Sequence, residues 1–178
     1  MRTKIQNKTA SAEIESLGAQ LMSLKNAEGT EYLWQGNPAF WSSRAPVLFP
    51  TVGNVRGGTT IINGKPYALK RHGCARNLEH SVLDSGANFI AYSLKDSEET
   101  RKLYPFVFEL RVTYRLIENG LTTEFAVFNR GDEELPFGIG GHPGFRCPLV
   151  PGERFEDYRI LFEKEETADC PTIDIQTG

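Results

Sequence analysis

The sequence has few cysteines and little net charge, and each shortage excludes a class of function. Its three cysteines (Cys74, Cys147 and Cys170) form no C-x-x-C pair among 178 residues, so neither a zinc site nor a disulfide framework is predicted. Reduced cysteines of this kind are typical of a cytosolic protein. A formal net charge of -3 and a pI near 5.7 give no electrostatic basis for binding nucleic acid or an anionic membrane.

Long apolar runs and nucleotide-binding motifs are also missing. The first ten residues, MRTKIQNKTA, lack the apolar centre of a signal peptide, and no apolar run approaches the length of a membrane span. Neither a P-loop nor a G-x-G-x-x-G fingerprint occurs, so we expect no nucleotide cofactor. The sequence therefore predicts a soluble, cytoplasmic protein that needs no cofactor.

Alternating apolar and polar residues predict a fold built from short antiparallel strands. Hairpin turns are predicted at Asn63-Gly64, Ser85-Gly86 and Asn119-Gly120, between runs rich in Ile, Val, Tyr and Phe. In the clearest run, residues 107–116, apolar side chains alternate with mostly polar ones, so one face of this strand is expected to be wet. We expect an all-β sandwich or barrel of antiparallel sheet, with residues 1–178 forming a single domain or the N-terminal portion of a larger one.

Three further segments have weaker patterns. Residues 12–16, AEIES, and 19–26, AQLMSLKN, are predicted strands, and residues 27–34, AEGTEYLW, are expected to continue them after a turn. Residues 96–104, DSEETRKLY, have some helical character, but their charge favours a solvated loop. Residues 157–165, DYRILFEKE, are predicted to form a strand whose partner is not obvious within the chain.

Two of the three histidines occupy similar corners of the chain. His142 lies in GIGGHPGFRCP, residues 138–148. The glycines indicate a backbone that turns tightly or lies close to another group, and Pro143 favours an extended conformation at His142. His72 follows a predicted strand and precedes Gly73. An imidazole acts as acid, base or donor near neutral pH, so both are candidate catalytic residues that could share one pocket. An isolated histidine, however, more often only satisfies buried carbonyl groups.

The cationic candidates for substrate binding are Arg44, Arg56 and Arg76. A guanidinium group offers several fixed donors that suit sugar hydroxyls, carboxylates or phosphates, although a single arginine is more often a solvent-facing charge. No metal-binding spacing accompanies the histidines, so no metal is expected.

An aromatic cluster adds a further possibility. Trp34, Phe40 and Trp41 lie close together in LWQGNPAFWSSRAP. An aromatic face can stack on a sugar, but such a cluster more often anchors a core or a loop.

Four segments together resemble the aldose 1-epimerase (galactose mutarotase) family. They read APVLFPTVG, NGKPYALKRHGCAR, YPFVFELRVTYRL and VFNRGDEELPFGIGGHPGF. The resemblance is to the LacX-type branch, whose motifs read H-G-F-A-R and later G-x-H-P-x-F, and it runs from about residue 12 to residue 148. It implies an antiparallel β-supersandwich and an isomerase that interconverts the α and β anomers of a free aldose without metal or cofactor.

The resemblance also implies roles for individual residues. His142 matches the general acid that donates a proton to the ring oxygen, and His72 matches the histidine that hydrogen-bonds the sugar nearby. Arg76 matches the arginine of the first motif and is expected to position the sugar. Cys74 stands where phenylalanine is usual, and Asn54 stands where an arginine is usual. The neighbouring Arg56 is a candidate replacement for that contact.

The catalytic glutamate and a sugar-binding aspartate of the family lie C-terminal to the His-Pro motif, and we expect the chain to end before both. Glu163, Glu165 and Glu166 match no family motif. Two alternatives therefore stay open: a carbohydrate-binding β-sandwich without the catalytic carboxylate, and a purely structural β-domain in which both histidines are packing residues. The sequence leaves open which sugar is bound, whether the sugar is phosphorylated, and the oligomeric state.

Overall fold

A computed structural model describes residues 1–169 of the chain. Within these residues the chain forms eleven strands, one α-helix and three short 3-10 turns. The strands are β1 (Arg2–Gln6), β2 (Ala10–Glu15), β3 (Gln20–Asn26), β4 (Val47–Leu48), β5 (Thr59–Ile62), β6 (Lys65–Ala68), β7 (Ser81–Ser85), β8 (Phe89–Lys95), β9 (Phe108–Ile117), β10 (Gly120–Asn129) and β11 (Gly140–Gly141). The helix α1 is Glu98–Leu103, and the 3-10 turns are Arg56–Gly58, Ala75–Asn77 and Phe155–Asp157.

Two antiparallel sheets carry most of the strands. One contains β1, β2 and β3 in sequence order, and the other contains four strands in the order β10-β9-β8-β7. Hairpins join β5 to β6 and β9 to β10, and the latter turn pairs Ile117 with Gly120. The predicted all-β, antiparallel architecture is confirmed.

The core lies where the three-stranded sheet meets the inner face of the four-stranded sheet. Buried side chains from both sheets form one hydrophobic cluster, in which Ile14, Leu110 and Val112 are fully buried. Two tyrosines of the four-stranded sheet, Tyr92 and Tyr114, also reach across the interface to backbone carbonyls of the first three strands and their turn. The Tyr114 hydroxyl donates to the carbonyl of Ala19 at 2.8 Å, which satisfies a buried polar group in an otherwise apolar layer.

The outer face of β9 is less exposed to solvent than the alternation of its residues predicts. Glu109 lies on this face and is only 3% exposed. Its carboxylate accepts hydrogen bonds from Arg111 at 2.6 Å, from Arg130 at 2.6 Å and from Ser93 at 3.1 Å. The two guanidinium groups lower the pKa of Glu109 to about 2 despite its burial. A covered ion pair therefore replaces the expected solvent contact.

The prediction of a solvated loop over residues 96–104 is wrong, because the helix α1 lies there. Ser97 caps this helix by accepting a hydrogen bond from the backbone N–H of Thr100, whose own hydroxyl accepts from the backbone N–H of Ser97. Acidic residues occupy the first turn and basic residues the last turn, where each sign is favourable to the helix dipole. The charges that suggested a loop are the charges that stabilise a short helix.

Two strand predictions are also wrong. Residues 27–34 form only isolated bridges at Glu31 and Leu33, because the Glu31 carboxylate accepts the backbone N–H groups of Leu24 and Leu33 in place of a regular ladder. Residues 157–165 contain no strand and are mostly exposed. Since no described strand pairs with that segment, its backbone groups remain available to water.

Two of the three cysteines lie within the described residues. Cys74 and Cys147 are free thiols, and Cys170 lies outside the described residues. The helix α1 is short, and no helix among residues 1–169 is long and apolar enough to cross a membrane.

Candidate functional site

His142 is carried by an extended segment that pairs with a second segment across residues 44–50. The paired glycines of β11 lie opposite β4. The same antiparallel pairing continues beyond β11, since His142 donates its backbone N–H to Pro46 at 3.1 Å and Gly144 donates to Arg44 at 2.7 Å. The prediction of a non-helical backbone at His142 is confirmed.

The same segment also pairs with residues 32–34, around the antiparallel bridge between Leu33 and Phe145. Trp34 donates its backbone N–H to Gly144 at 2.9 Å, and Arg146 donates to Tyr32 at 2.8 Å. The segment that presents His142 is therefore paired both before and after the histidine, from Gly138 to Arg146. These backbone bonds hold the histidine's Cα in place.

The glycines of this segment are explained by close packing at one position. None of Gly138, Gly140, Gly141 and Gly144 has a positive φ, so left-handed backbone does not require them. A Cβ built on Gly144, however, would lie 2.6 Å from Cζ3 of Trp41. Only glycine lets the Trp41 ring lie against this backbone.

His72 occupies a strained corner that is tied to the loop at Gly53. Its φ is +68°, in the left-handed region that β-carbon-bearing residues seldom adopt. Its backbone N–H donates to the Gly53 carbonyl at 2.9 Å, and its Nδ1 accepts the Gly53 N–H at 3.0 Å. Because a backbone N–H can only donate, Nδ1 carries the lone pair and the ring proton lies on Nε2.

The residues after His72 wrap closely around Phe49. Gly73 has a φ of +72°, and a Cβ there would lie 2.2 Å from the Phe49 carbonyl oxygen. Cys74 donates its backbone N–H to the same carbonyl at 3.0 Å. Its thiol is buried, and burial raises its pKa to about 11, so this cysteine is a packing residue and not a thiolate nucleophile.

The fold brings the two predicted histidines together. The ring centroids of His72 and His142 lie 5.7 Å apart, with 50° between the ring planes. His72 is half-buried and His142 is exposed. The Trp41 ring contacts His142 edge-on, with 5.2 Å between the centroids and 62° between the planes. Two imidazoles at this separation can both contact one small molecule.

The electrostatics of the site favour a neutral His72. Partial burial lowers the pKa of its imidazole, and the positive charges of Arg76, Arg71 and His142 lower it further. A neutral ring with its proton on Nε2 is a hydrogen-bond donor at neutral pH. This state agrees with the acceptor role of Nδ1 toward Gly53.

The three predicted arginines have different surroundings. Arg76 lies close enough to affect the charge of His72, and its guanidinium donates to the Ser43 hydroxyl at 3.0 Å. The Arg44 guanidinium instead donates to the carbonyl of Met22 at 2.7 Å, which ties it to β3. Arg56 is exposed in the 3-10 turn Arg56–Gly58. Of the three, Arg76 is the one that the structure associates with the histidine pair.

Two site residues carry no clear signal in the sequence. Trp41 belongs to an aromatic cluster that suggests a packing anchor, and its contact with His142 depends on pairing between distant segments. Ser43 lies in no motif, and only the fold places it beside Arg76. Glu163, Glu165 and Glu166 are exposed, and among residues 1–169 no three His, Cys, Asp or Glu side chains group as a metal site.

Comparison with known proteins gives consistent matches. The family model described as aldose 1-epimerase matches residues 1–178. The chain is 37% identical over 184 residues to the chromosomal protein LacX of Lactococcus lactis subsp. lactis. That match covers 100% of this chain and 62% of the relative, so the chain spans less than two thirds of the length of this relative.

Solved structures from lactobacilli share the fold. The galactose mutarotase related enzyme from Lactobacillus acidophilus is 45% identical with a TM-score of 0.86, over 88% of this chain and 53% of that chain. A galactose mutarotase-like protein from Lactobacillus casei is 34% identical with a TM-score of 0.81, over 85% of this chain and 52% of that chain. The predicted galactose mutarotase-like fold is confirmed.

Proposed function

Because this chain belongs to the aldose 1-epimerase family, we propose that it binds a free aldohexose and interconverts the α and β anomers. The observation that supports this proposal is the convergence of His72 and His142, whose ring centroids lie 5.7 Å apart. Each histidine comes from a separate motif, and neither is enclosed in the hydrophobic core. Two accessible imidazoles side by side suit proton transfer on a neutral sugar.

In the proposed mechanism, His142 is the general acid. It donates a proton to the ring oxygen while a carboxylate, a role that none of Glu163, Glu165 and Glu166 matches by motif, removes the proton from the C1 hydroxyl, so the bond between C1 and the ring oxygen breaks. The C1 aldehyde rotates about the bond to C2, and the reverse transfers close the ring on its other face. His72 donates its Nε2–H to the sugar near the ring oxygen, and Arg76 hydrogen-bonds sugar hydroxyls.

The surroundings of the arginines bear on the substrate. Arg44 uses its guanidinium on the Met22 carbonyl, and Arg76 donates to the Ser43 hydroxyl. A phosphate group is best held by several free guanidinium donors. We therefore propose an unphosphorylated aldose. Arg44 and Arg56 remain predicted binding residues, as the single domain and the cytoplasmic location remain predictions.

Polarimetry of freshly dissolved α-galactose and α-glucose tests this proposal, with α-glucose 6-phosphate as the comparison substrate. Acceleration of mutarotation by the chain would mean that it contains the base, and we expect His142→Gln to lower the accelerated rate about 10²- to 10⁴-fold, the usual contribution of a general acid. Glu124→Gln is the control, since Glu124 is exposed on β10.

Binding measured by NMR titration separates the alternatives. Sugar binding by folded protein without acceleration would identify a carbohydrate-binding β-sandwich that lacks the catalytic base. Absence of both binding and acceleration would identify a structural β-domain. Acceleration of the phosphorylated sugar alone would overturn the proposed substrate.

A further inference from the structure

One loop contacts both halves of the candidate site. This loop, residues 34–44, is here called the tryptophan loop. Its Trp41 ring packs edge-on against the His142 imidazole, with 5.2 Å between the ring centroids. Two residues later, the Ser43 hydroxyl accepts a hydrogen bond from the guanidinium of Arg76 at 3.0 Å. A single segment thus contacts the proposed acid and the proposed sugar-binding arginine.

Hydrogen bonds to backbone carbonyls within the tryptophan loop hold its conformation. The Trp34 indole N–H donates to the Trp41 carbonyl at 2.7 Å. The backbone N–H groups of Phe40 and Trp41 both donate to the Asn37 carbonyl, at 3.0 and 2.9 Å. These bonds define the course of the loop without any contribution from the Trp41 ring.

The C-terminal end of the loop is anchored separately. Arg44 and Ala45 donate their backbone N–H groups to the side-chain oxygen of Gln20, at 3.0 and 3.2 Å. The Arg44 guanidinium also bonds the Met22 carbonyl. Ser43 therefore lies beside a residue that is fixed to β3, which gives its hydroxyl a rigid base.

The Trp41 ring is closely packed against the segment that carries His142. Gly144 lies two residues after His142, and a Cβ on it would come within 2.6 Å of Cζ3 of Trp41 and 3.2 Å of Cβ of Trp34. The indole is therefore packed against the backbone that carries His142 as well as against its imidazole. Movement of the indole would therefore displace the His142 imidazole.

We infer that Trp41 and Ser43 are positioning residues, which set the orientation of the His142 imidazole and of the Arg76 guanidinium respectively. This inference rests on the proposed function for its kinetic consequences. A role as a loop anchor does not account for the Trp41 ring, because the loop is already held by Trp34, Asn37 and Arg44. Proton transfer depends on orientation, and a displacement of about 1 Å can lower a rate about 100-fold.

The first test uses Trp41→Leu, with Phe40→Leu as the matched control. Phe40 lies on the same loop and is 81% exposed, so its loss removes an aromatic ring away from His142. NMR of the sugar-free protein follows the imidazole resonances of His142, which the Trp41 ring current shifts. We expect Trp41→Leu to move them and to lower kcat up to about 100-fold with little change in KM. Trp41→Phe should restore part of the effect.

The second test uses Ser43→Ala, with the neighbouring Ser42→Ala as the control. Ser42 is exposed and Ser43 is partly buried. We expect Ser43→Ala to change the guanidinium resonances of Arg76 and to raise KM for the sugar with little change in kcat. Ser42→Ala should leave both unchanged.

The spectroscopic and kinetic results overturn different claims. If the His142 and Arg76 resonances in the two variants match those in the two controls, the positioning roles are wrong, whatever the enzyme does. If the wild-type chain shows no mutarotation while the resonances move as expected, the proposed function fails and the positioning roles stand. Circular dichroism confirms that each variant is folded.

Discussion

Nδ1 of His72 accepts the backbone N–H of Gly53 at 3.0 Å. This bond requires a lone pair on Nδ1, which places the ring proton on Nε2 and makes His72 a donor toward the site. Protonation of Nδ1 would break the bond and leave two N–H groups facing each other. The relationship therefore links the corner conformation of His72 to its charge.

The pKa of His72 is expected to lie below the ordinary value of 6.5, because burial and nearby positive charges oppose protonation. Replacing Arg76 with glutamine removes one of these charges and should raise the pKa of His72. NMR titration of the imidazole measures both values. Arg115→Gln is the control, since that guanidinium lies over Phe89. A wild-type pKa at or above 6.5 would contradict the expectation.

The same shift affects stability in a defined direction. The unfolded chain takes up a proton near pH 6.5, whereas folded His72 resists protonation to a lower pH. The free energy of unfolding should therefore fall as the pH is lowered from about 6.5 toward the folded-state pKa. His80, whose pKa burial also lowers, contributes in the same direction. Urea denaturation at several pH values measures the slope.

Glu109→Gln should lower the free energy of unfolding by roughly 1.5–3 kcal/mol, the usual range for hydrogen bonds to a charged group. The substitution keeps the shape of the side chain but removes the charge that Arg111 and Arg130 share. Because the folded-state pKa of Glu109 is about 2, its contribution is present above pH 4.5 and is lost as the pH falls toward 2. Denaturant titration measures the difference, and an equal loss in Glu124→Gln would refute the assignment.

Gly144→Ala should destabilise the protein by about 1–3 kcal/mol, because the added methyl group meets the Trp41 ring at 2.6 Å. Gly141→Ala is the matched control on the same segment. Its Cβ would lie 3.7 Å from the nearest atom, an ordinary contact with Phe125. Thermal unfolding compares the two variants, and similar melting temperatures would contradict the packing explanation.

Gly73→Ala should lower the free energy of unfolding more than Gly64→Ala does, although both glycines have a φ above +70°. At Gly64 nothing lies within 4 Å of an added Cβ, so only the conformational cost of about 1–2 kcal/mol applies. At Gly73 the Cβ would collide with the backbone of Phe49 at 2.2 Å. The comparison separates steric collision from backbone strain, and it is measured by urea denaturation.

Much of the strand structure could be predicted from the sequence, because strands and tight turns depend on neighbouring residues. The Asn63-Gly64, Ser85-Gly86 and Asn119-Gly120 signals each lie at a hairpin of the structure, between β5 and β6, β7 and β8, and β9 and β10. The helix α1 was not predicted, because its stability comes from reciprocal bonds between Ser97 and Thr100 that composition does not show. Strand β1 was also missed, since only Ile5 is buried on it and the apolar pattern is too short.

For the candidate site, too, local properties could be predicted from the sequence and distances between segments could not. The sequence determined which residues are candidates for the chemistry, since the side chains of His72, His142 and Arg76 and their motifs are local properties. Only the tertiary structure decided that the two imidazoles lie 5.7 Å apart, that Arg44 is occupied by Met22, and that Trp41 and Ser43 join the site. These relationships arise from pairing between segments far apart in the chain, and no local pattern encodes the distance between them.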